Sequence, residues 1–270
     1  MAMRILMASK RAPGTPGRRD GGVQTWTVAV AAELRRLGHE VDILAQREAP
    51  PATGYDLGIF ANVGYTAPLK VHCAASVLVC HGIVDDEAPS QWFDATVFTS
   101  EEVRDHWNGT GPVIRQPIDL EFWSPGKRRA GRTLVRYANR GGLEWLPEVA
   151  ARLGLQFVHV RNATPEQARD MLRDAACVLA SGRCAVEAMA CGAPVLVCDD
   201  RPYQGPLMDY TSTAMLRNYS GRFGEVPDEL SLAPRIEQAM GAPGWRLYAE
   251  RHHDVREIVP QLLEAACSTC

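Results

Sequence analysis

Short apolar runs alternate with stretches of helical periodicity along most of the chain. Residues 3–9 form a short run, apolar from Ile5 to Ala8, the pattern of a strand covered on both faces. A polar loop rich in glycine and proline follows at residues 10–20. Beyond it Val23, Trp26, Val30, Leu34 and Leu37 fall at steps of three and four. That spacing predicts a helix opening at Gly21-Gly22 with one buried stripe, ended by Gly38. Residues 41–45 read as the next strand, so the first 45 residues form one β-α-β unit.

The alternation continues. Residues 56–61, 77–80 and 96–99 read as strands, Ser100 caps a helix to about Trp107, and residues 113–115 read as a short strand. Residues 116–126 hold two prolines and no periodicity, as a linker would. A second series begins near Thr133. It has strands at 133–137, 156–160, 177–180 and 194–198, and helices at 143–153, 164–174 and 185–191. Thr164-Pro165-Glu166-Gln167 is a capping box with proline at the first helical position. Residues 228–266 are mostly helical, with breaks expected at 241–244 and at Pro260. Two β-α series in tandem predict an α/β chain of two doubly wound, Rossmann-like domains. In such sheets ligands bind at the carboxyl ends of the strands, here after Ser9, Cys80, Tyr137 and Ala180.

Composition narrows the function classes. The chain has 270 residues and a formal net charge of −3, without the basic excess of a dedicated nucleic-acid module. All 29 cationic side chains except Lys10, Lys70 and Lys127 are arginines, which suit bidentate phosphate and carboxylate contacts. No apolar run reaches the roughly 18–20 residues of a membrane-spanning helix. The apolar start is interrupted by Arg4 and too short for a signal peptide, so a cytoplasmic location is expected. Six of eight cysteines lie in apolar runs, and the terminal pair Cys267 and Cys270 has no second ligand pair for a zinc site. Dinucleotide, P-loop and nucleophile-elbow glycine motifs are absent, as is any alternating pair of aspartates, so neither a cofactor nor a metal is expected.

Four constellations could carry chemistry. Gly21-Gly22 at a helix start could let backbone N–H groups approach an anion, or could serve a tight turn. Arg136 and Arg140, beside Gly141-Gly142, suit a phosphate at a strand end or a solvated edge. Glu187 is the one carboxylate of a short, otherwise small and apolar helix; it has a polar partner such as a ribose diol, or it faces solvent. His81 directly follows an apolar strand, where a ligand or a purely structural contact could hold it.

Taken in order, these segments resemble the retaining glycosyltransferases of family four, which have the GT-B fold. The stretch GGVQTWTVAVAAELRRLGHEVDIL resembles that family's opening, and His81-Gly82 its active-site histidine motif. VFTSEEVRDHW followed by PIDLEFWSP is similar to the end of its first domain and the linker. VRYANRGG is similar to its phosphate-binding segment, with Arg140 where lysine is usual, and VEAMACGAPVLV to its donor-binding segment. The matches run from residue 4 to about residue 198. Two features depart from the family pattern. Leu179 stands where an earlier glutamate is usual, with the loop compressed to Ser181-Gly182-Arg183, and the chain is short for this fold.

The resemblance implies two Rossmann-like domains facing across a cleft. Residues 1–117 would form the acceptor-side domain, 118–244 the donor domain, and 245–270 a helical segment returning to the first domain. It implies a nucleotide-diphosphate-sugar donor and transfer to a hydroxyl with retention and without metal. Gly21 and Gly22 would face the donor phosphates, Arg136 and Arg140 would neutralise the leaving diphosphate, and Glu187 would bind the ribose. His81 would contact the donor sugar, and Arg183 would take over part of the absent glutamate's contact. The acceptor would be a glycan, a lipid-linked or a small molecule. A DNA acceptor remains an alternative, because Lys10, Arg11, Arg18 and Arg19 precede Gly21 and six further cations fall between residues 127 and 140. So does a sugar-nucleotide-binding protein without turnover, given Leu179.

Overall fold

A computed structural model describes residues 2–15, 20–46, 48–51, 53–126, 131–138, 143–198, 203–206, 211–220, 228–242 and 245–267. The chain divides into two compact units, Met1–Pro117 with Asp254–Cys270, and Ile118–His253.

The first unit contains β1 (Arg4–Ser9), α1 (Gly22–Arg36), β2 (Glu40–Ala45), β3 (Tyr55–Phe60), α2 (Val63–Thr66), β4 (Cys73–Cys80), β5 (Ala95–Phe98) and α3 (Glu101–His106). Its five strands are all parallel, in the order β2-β1-β3-β4-β5. Ile5, Met7, Leu57, Ile59, Val77 and Val79 pack on one face under Trp26, Val30 and Leu34 of α1. Leu6, Ala8, Phe60, Leu78 and Cys80 pack on the other with Phe93 and Val103. Coverage of both faces explains why these strands read as continuous apolar runs. The α1 stripe is buried at Trp26, Val30 and Leu34, whereas Leu37 is exposed as the helix ends. Gly38 takes φ +90, and the His39 amide reaches back to the Leu34 carbonyl, closing the helix as expected.

The second unit contains β6 (Thr133–Tyr137), α4 (Leu146–Arg152), β7 (Gln156–Val160), α5 (Pro165–Arg173), β8 (Ala175–Ala180), α6 (Arg183–Ala190), β9 (Val195–Cys198), β10 (Tyr203–Pro206), α7 (Thr211–Leu216), α8 (Glu229–Gly241) and α9 (Trp245–His253). The strand order is β10-β9-β8-β6-β7, parallel except for β10. Counted from each unit's first strand, both sheets run 2-1-3-4-5, the flavodoxin-like doubly wound order. Residues of α5, α6 and α9 share one core with Val135 and Val178, and residues of α4 and α8 share the other with Leu134 and Leu179. The capping box forms as expected: Thr164 Oγ1 accepts from the Gln167 amide, and Gln167 Oε1 accepts from the Thr164 amide.

Several expectations are corrected. Residues 113–115 are not a strand: only Val113 makes a bridge, to Phe98. The helix expected from residue 143 starts at Leu146, because Leu143 sits at φ +59 and Pro147 favours the first turn. Pro260 breaks nothing. The last helix, α10 (Val255–Cys267), runs through it with the proline exposed, while Val255, Ile258, Val259 and Leu262 are buried in the first unit's core. Tertiary burial outweighs the lost backbone hydrogen bond. The segment 245–253, expected to leave with the tail, lies in the second unit. Trp245 and Ala249 are buried there, and Arg246 donates to the carbonyls of Leu120, Trp123 and Ala190.

Candidate functional site

In the second unit the strand order reverses between β6 and β8, which is where ligands bind in this class of sheet. At that point β6 ends in Arg136 and Tyr137, and β8 runs into Ser181-Gly182. Gly182 takes φ +55, ψ −136, a conformation open to glycine, and starts α6. Small and apolar residues make up most of α6, yet Arg183 and Glu187 are also buried. Four residues apart on a helix, they face each other, and Arg183 Nε donates to Glu187 Oε1 at 3.0 Å. The Tyr137 hydroxyl donates to Oε2 at 2.8 Å. Glu187 therefore does not lie on the solvent side of its helix.

Burial raises the Glu187 carboxyl above its ordinary range, opposed by the Arg183 charge and by hydrogen bonds from Tyr137 and Arg183. Burial, reinforced by the neighbouring carboxylate, pushes the Tyr137 hydroxyl well up, so it remains a donor at neutral pH. Each carboxylate oxygen has two acceptor positions, so Glu187 keeps capacity beyond these two bonds.

Arg136 is 3% exposed. Alternation along β6 puts it on the α4 and α8 face with Leu134, while Val135 and Tyr137 face α6. The strand end thus turns a guanidinium to one face and a neutral hydroxyl to the other. Arg140 lies outside the described residues. Leu179 is a core residue, 1% exposed and paired with Arg136 in the sheet.

In the first unit the equivalent reversal lies between β1 and β3. Gly21 takes φ −98, and its amide donates to Gln24 Oε1 at 3.0 Å. Neither Gly21 nor Gly22 has the positive φ of a glycine-requiring turn. A Cβ on Gly22 would meet nothing within 4 Å. Neither local backbone strain nor packing against the described residues explains glycine at position 22. What a bare backbone at a helix start permits is close approach from outside. His81 stands at the end of β4, its ring edge-on to Trp26 at 4.9 Å, and its carbonyl accepts from Thr99 Oγ1. Lys10 is drawn to Asp86 at 2.8 Å and lies over the Tyr65 ring, so this cation of the basic loop is already engaged. Arg18, Arg19 and the 127–129 cations lie outside the described residues.

Sequence reasoning missed Tyr137. A tyrosine ending a strand looks like an ordinary β residue, and its partner is 50 positions away. The Arg183-to-Glu187 spacing was the available signal for the ion pair. Cys177 is buried, and burial pushes its thiol up to about 12, as for a packing residue. Among the described residues, no group of three or more His, Cys, Asp or Glu is placed to hold a metal ion. Among them, no helix is long and apolar enough to cross a membrane.

No family model matches the chain, and no curated protein matches it. Solved structures do. A sucrose-phosphate synthase from Thermosynechococcus elongatus superposes with a TM-score of 0.65 at 14% identity, covering 97% of this chain and 98% of that one. AviGT4, a glycosyltransferase involved in avilamycin A biosynthesis, gives 0.61 at 15%, covering 98% and 97%. The catalytic domain of starch synthase IV from Arabidopsis thaliana, bound to ADP and acarbose, gives 0.62 at 10%, covering 100% and 99%. At these identities the likeness shows the fold: two Rossmann-like domains, as in GT-B glycosyltransferases.

Proposed function

We propose that this protein is a cytoplasmic, retaining glycosyltransferase of the family-four type. It transfers a sugar from a nucleotide-diphosphate-sugar to an acceptor hydroxyl, without a metal or other cofactor. The observation that carries this reading is the buried Glu187, braced by Arg183 and Tyr137 at the switch point of the second sheet. A carboxylate held there with spare acceptor positions suits the paired hydroxyls of a ribose. The ADP bound by the starch synthase neighbour is a ligand of the chemistry proposed.

In this reading Arg183 and Tyr137 orient Glu187 toward the ribose. The bare helix start at Gly21-Gly22 lets the donor phosphates approach backbone N–H groups. Arg136 and Arg140 stabilise the charge that develops on the departing diphosphate, and fixed cations take the role a divalent metal plays elsewhere. His81, steadied by Trp26, contacts the donor sugar. The acceptor oxygen bonds to the anomeric carbon on the side the diphosphate leaves, as the carbon–oxygen bond to the diphosphate breaks. The hydroxyl proton passes to the departing phosphate oxygen, which preserves the anomeric configuration without a protein nucleophile. The acceptor is a glycan, a lipid-linked or a small molecule.

The test is transfer by the purified chain from UDP-, GDP-, ADP- and TDP-sugars to a panel of simple glycoside acceptors, with EDTA present. Proton NMR of the product should show the donor's anomeric configuration. An inverted product, activity lost to EDTA, or absence of transfer and donor hydrolysis alike would overturn the corresponding part of the proposal.

A further inference from the structure

The chain passes between its two units at Pro117–Ile118 and again at His253–Asp254. On the second unit's side these passages are joined, because the Ile118 amide donates to the His253 carbonyl at 2.7 Å. The His253 ring is 1% exposed, and its Nε2 makes a 2.7 Å hydrogen bond with the hydroxyl of Tyr219, which is equally buried. Tyr219 holds φ +55, which is rare for a bulky residue. Its own amide donates to the Ala214 carbonyl, and its carbonyl accepts from the Gly182 amide at 2.8 Å. Gly182 is the positive-φ residue that starts α6, one position before Arg183.

A glycine at position 219 would make the same backbone bonds without strain. The tyrosine's side chain is what a glycine would lack, and that side chain reaches His253. We infer that Tyr219 is a positioning residue: its carbonyl holds the Gly182 turn that launches α6, and its hydroxyl fixes that turn to the point where the chain enters and leaves the unit. A shift at the start of α6 is thereby felt at Ile118 and His253 through a continuous hydrogen-bonded path. The consequence for donor binding rests on the function proposed above; the positioning itself does not.

Amide hydrogen exchange on the ligand-free full chain tests it. Tyr219→Phe keeps the ring and the backbone and removes only the hydroxyl. It should speed exchange of both the Gly182 and Ile118 amides by about tenfold, while Val79 in the first sheet stays at its wild-type rate. His253→Ala, which removes the same bond from the other side, should give the same pattern. His253→Gln, whose amide can still meet the hydroxyl, should restore most of the protection. Wild-type protection of either amide in Tyr219→Phe overturns the inference. If that variant does not fold, equal exchange in His253→Ala and wild type overturns it. Donor nucleotide should then slow exchange at Gly182 and Ile118 in wild type, but at Gly182 alone in Tyr219→Phe. Equal slowing at Ile118 in both overturns the coupling. Absence of any nucleotide effect at Gly182 overturns the donor reading, and the ligand-free result still decides the positioning.

Discussion

At the first unit's strand ends stand a bare helix start, a histidine edge-on to a tryptophan, and a half-exposed Lys10–Asp86 pair. At the second unit's strand ends an ion pair lies almost entirely out of water, against a partly buried tyrosine. The strand order is the same in both units, so topology does not account for the contrast. The third strand of each sheet even ends alike, in a positive-φ residue that starts a helix: Asn62 before α2 and Gly182 before α6. Asn62 spends its side chain on the Lys10 amide, whereas Gly182 has none and is followed at once by Arg183 of the buried Arg183–Glu187 pair. One fold thus supplies two surfaces, one suited to contact by backbone and the other by preset charge.

The contrast is most severely tested by Glu187→Ala, which takes a carboxylate partner from the buried Arg183. Urea unfolding should show a loss of about 3–5 kcal/mol. Glu187→Gln keeps the shape and sharpens the point through pH. Burial raises the folded carboxyl above its unfolded value, so between those two values the folded chain binds the extra proton. Wild-type stability should therefore fall as pH rises through that window, and the glutamine variant should lack this contribution. A flatter wild-type profile than that of the variant would contradict the burial account.

Smaller effects come from making one substitution in both units. Gly182→Ala places a Cβ at positive φ and should cost about 1–3 kcal/mol. Gly22→Ala meets open space in a helical conformation and should stabilise by about 0.4–1 kcal/mol, while weakening nucleotide-sugar binding. Loss of stability in Gly22→Ala would remove the argument that this glycine serves a ligand. Lys10→Ala, at an exposed pair, should leave the melting temperature nearly unchanged.

Much of this architecture is legible in the sequence, because both sheets are covered on two faces and their central strands hold short, largely apolar runs. Helix ends at Ser100, Thr164 and Gly38 follow from local hydrogen bonding and are equally readable. The continuity of α10 is not, because it runs through Pro260 on the strength of burial against a core built from residues 5–114. The site divides the same way. Glu187 stands out as an acid among small residues, but its burial and its tyrosine partner are properties of the assembled sheet. Gly22 carries the reverse lesson: its sequence signal is ambiguous, and neither a positive φ nor contact with the described residues requires a glycine there.

The central claim is a nucleotide-sugar donor site, and a thermal-shift screen against UDP-, GDP-, ADP- and TDP-sugars tests it most directly. At about 100 times its dissociation constant, the cognate donor should add roughly 2.7 kcal/mol and raise the melting temperature by several degrees. A melting temperature that none of the four classes moves would contradict it.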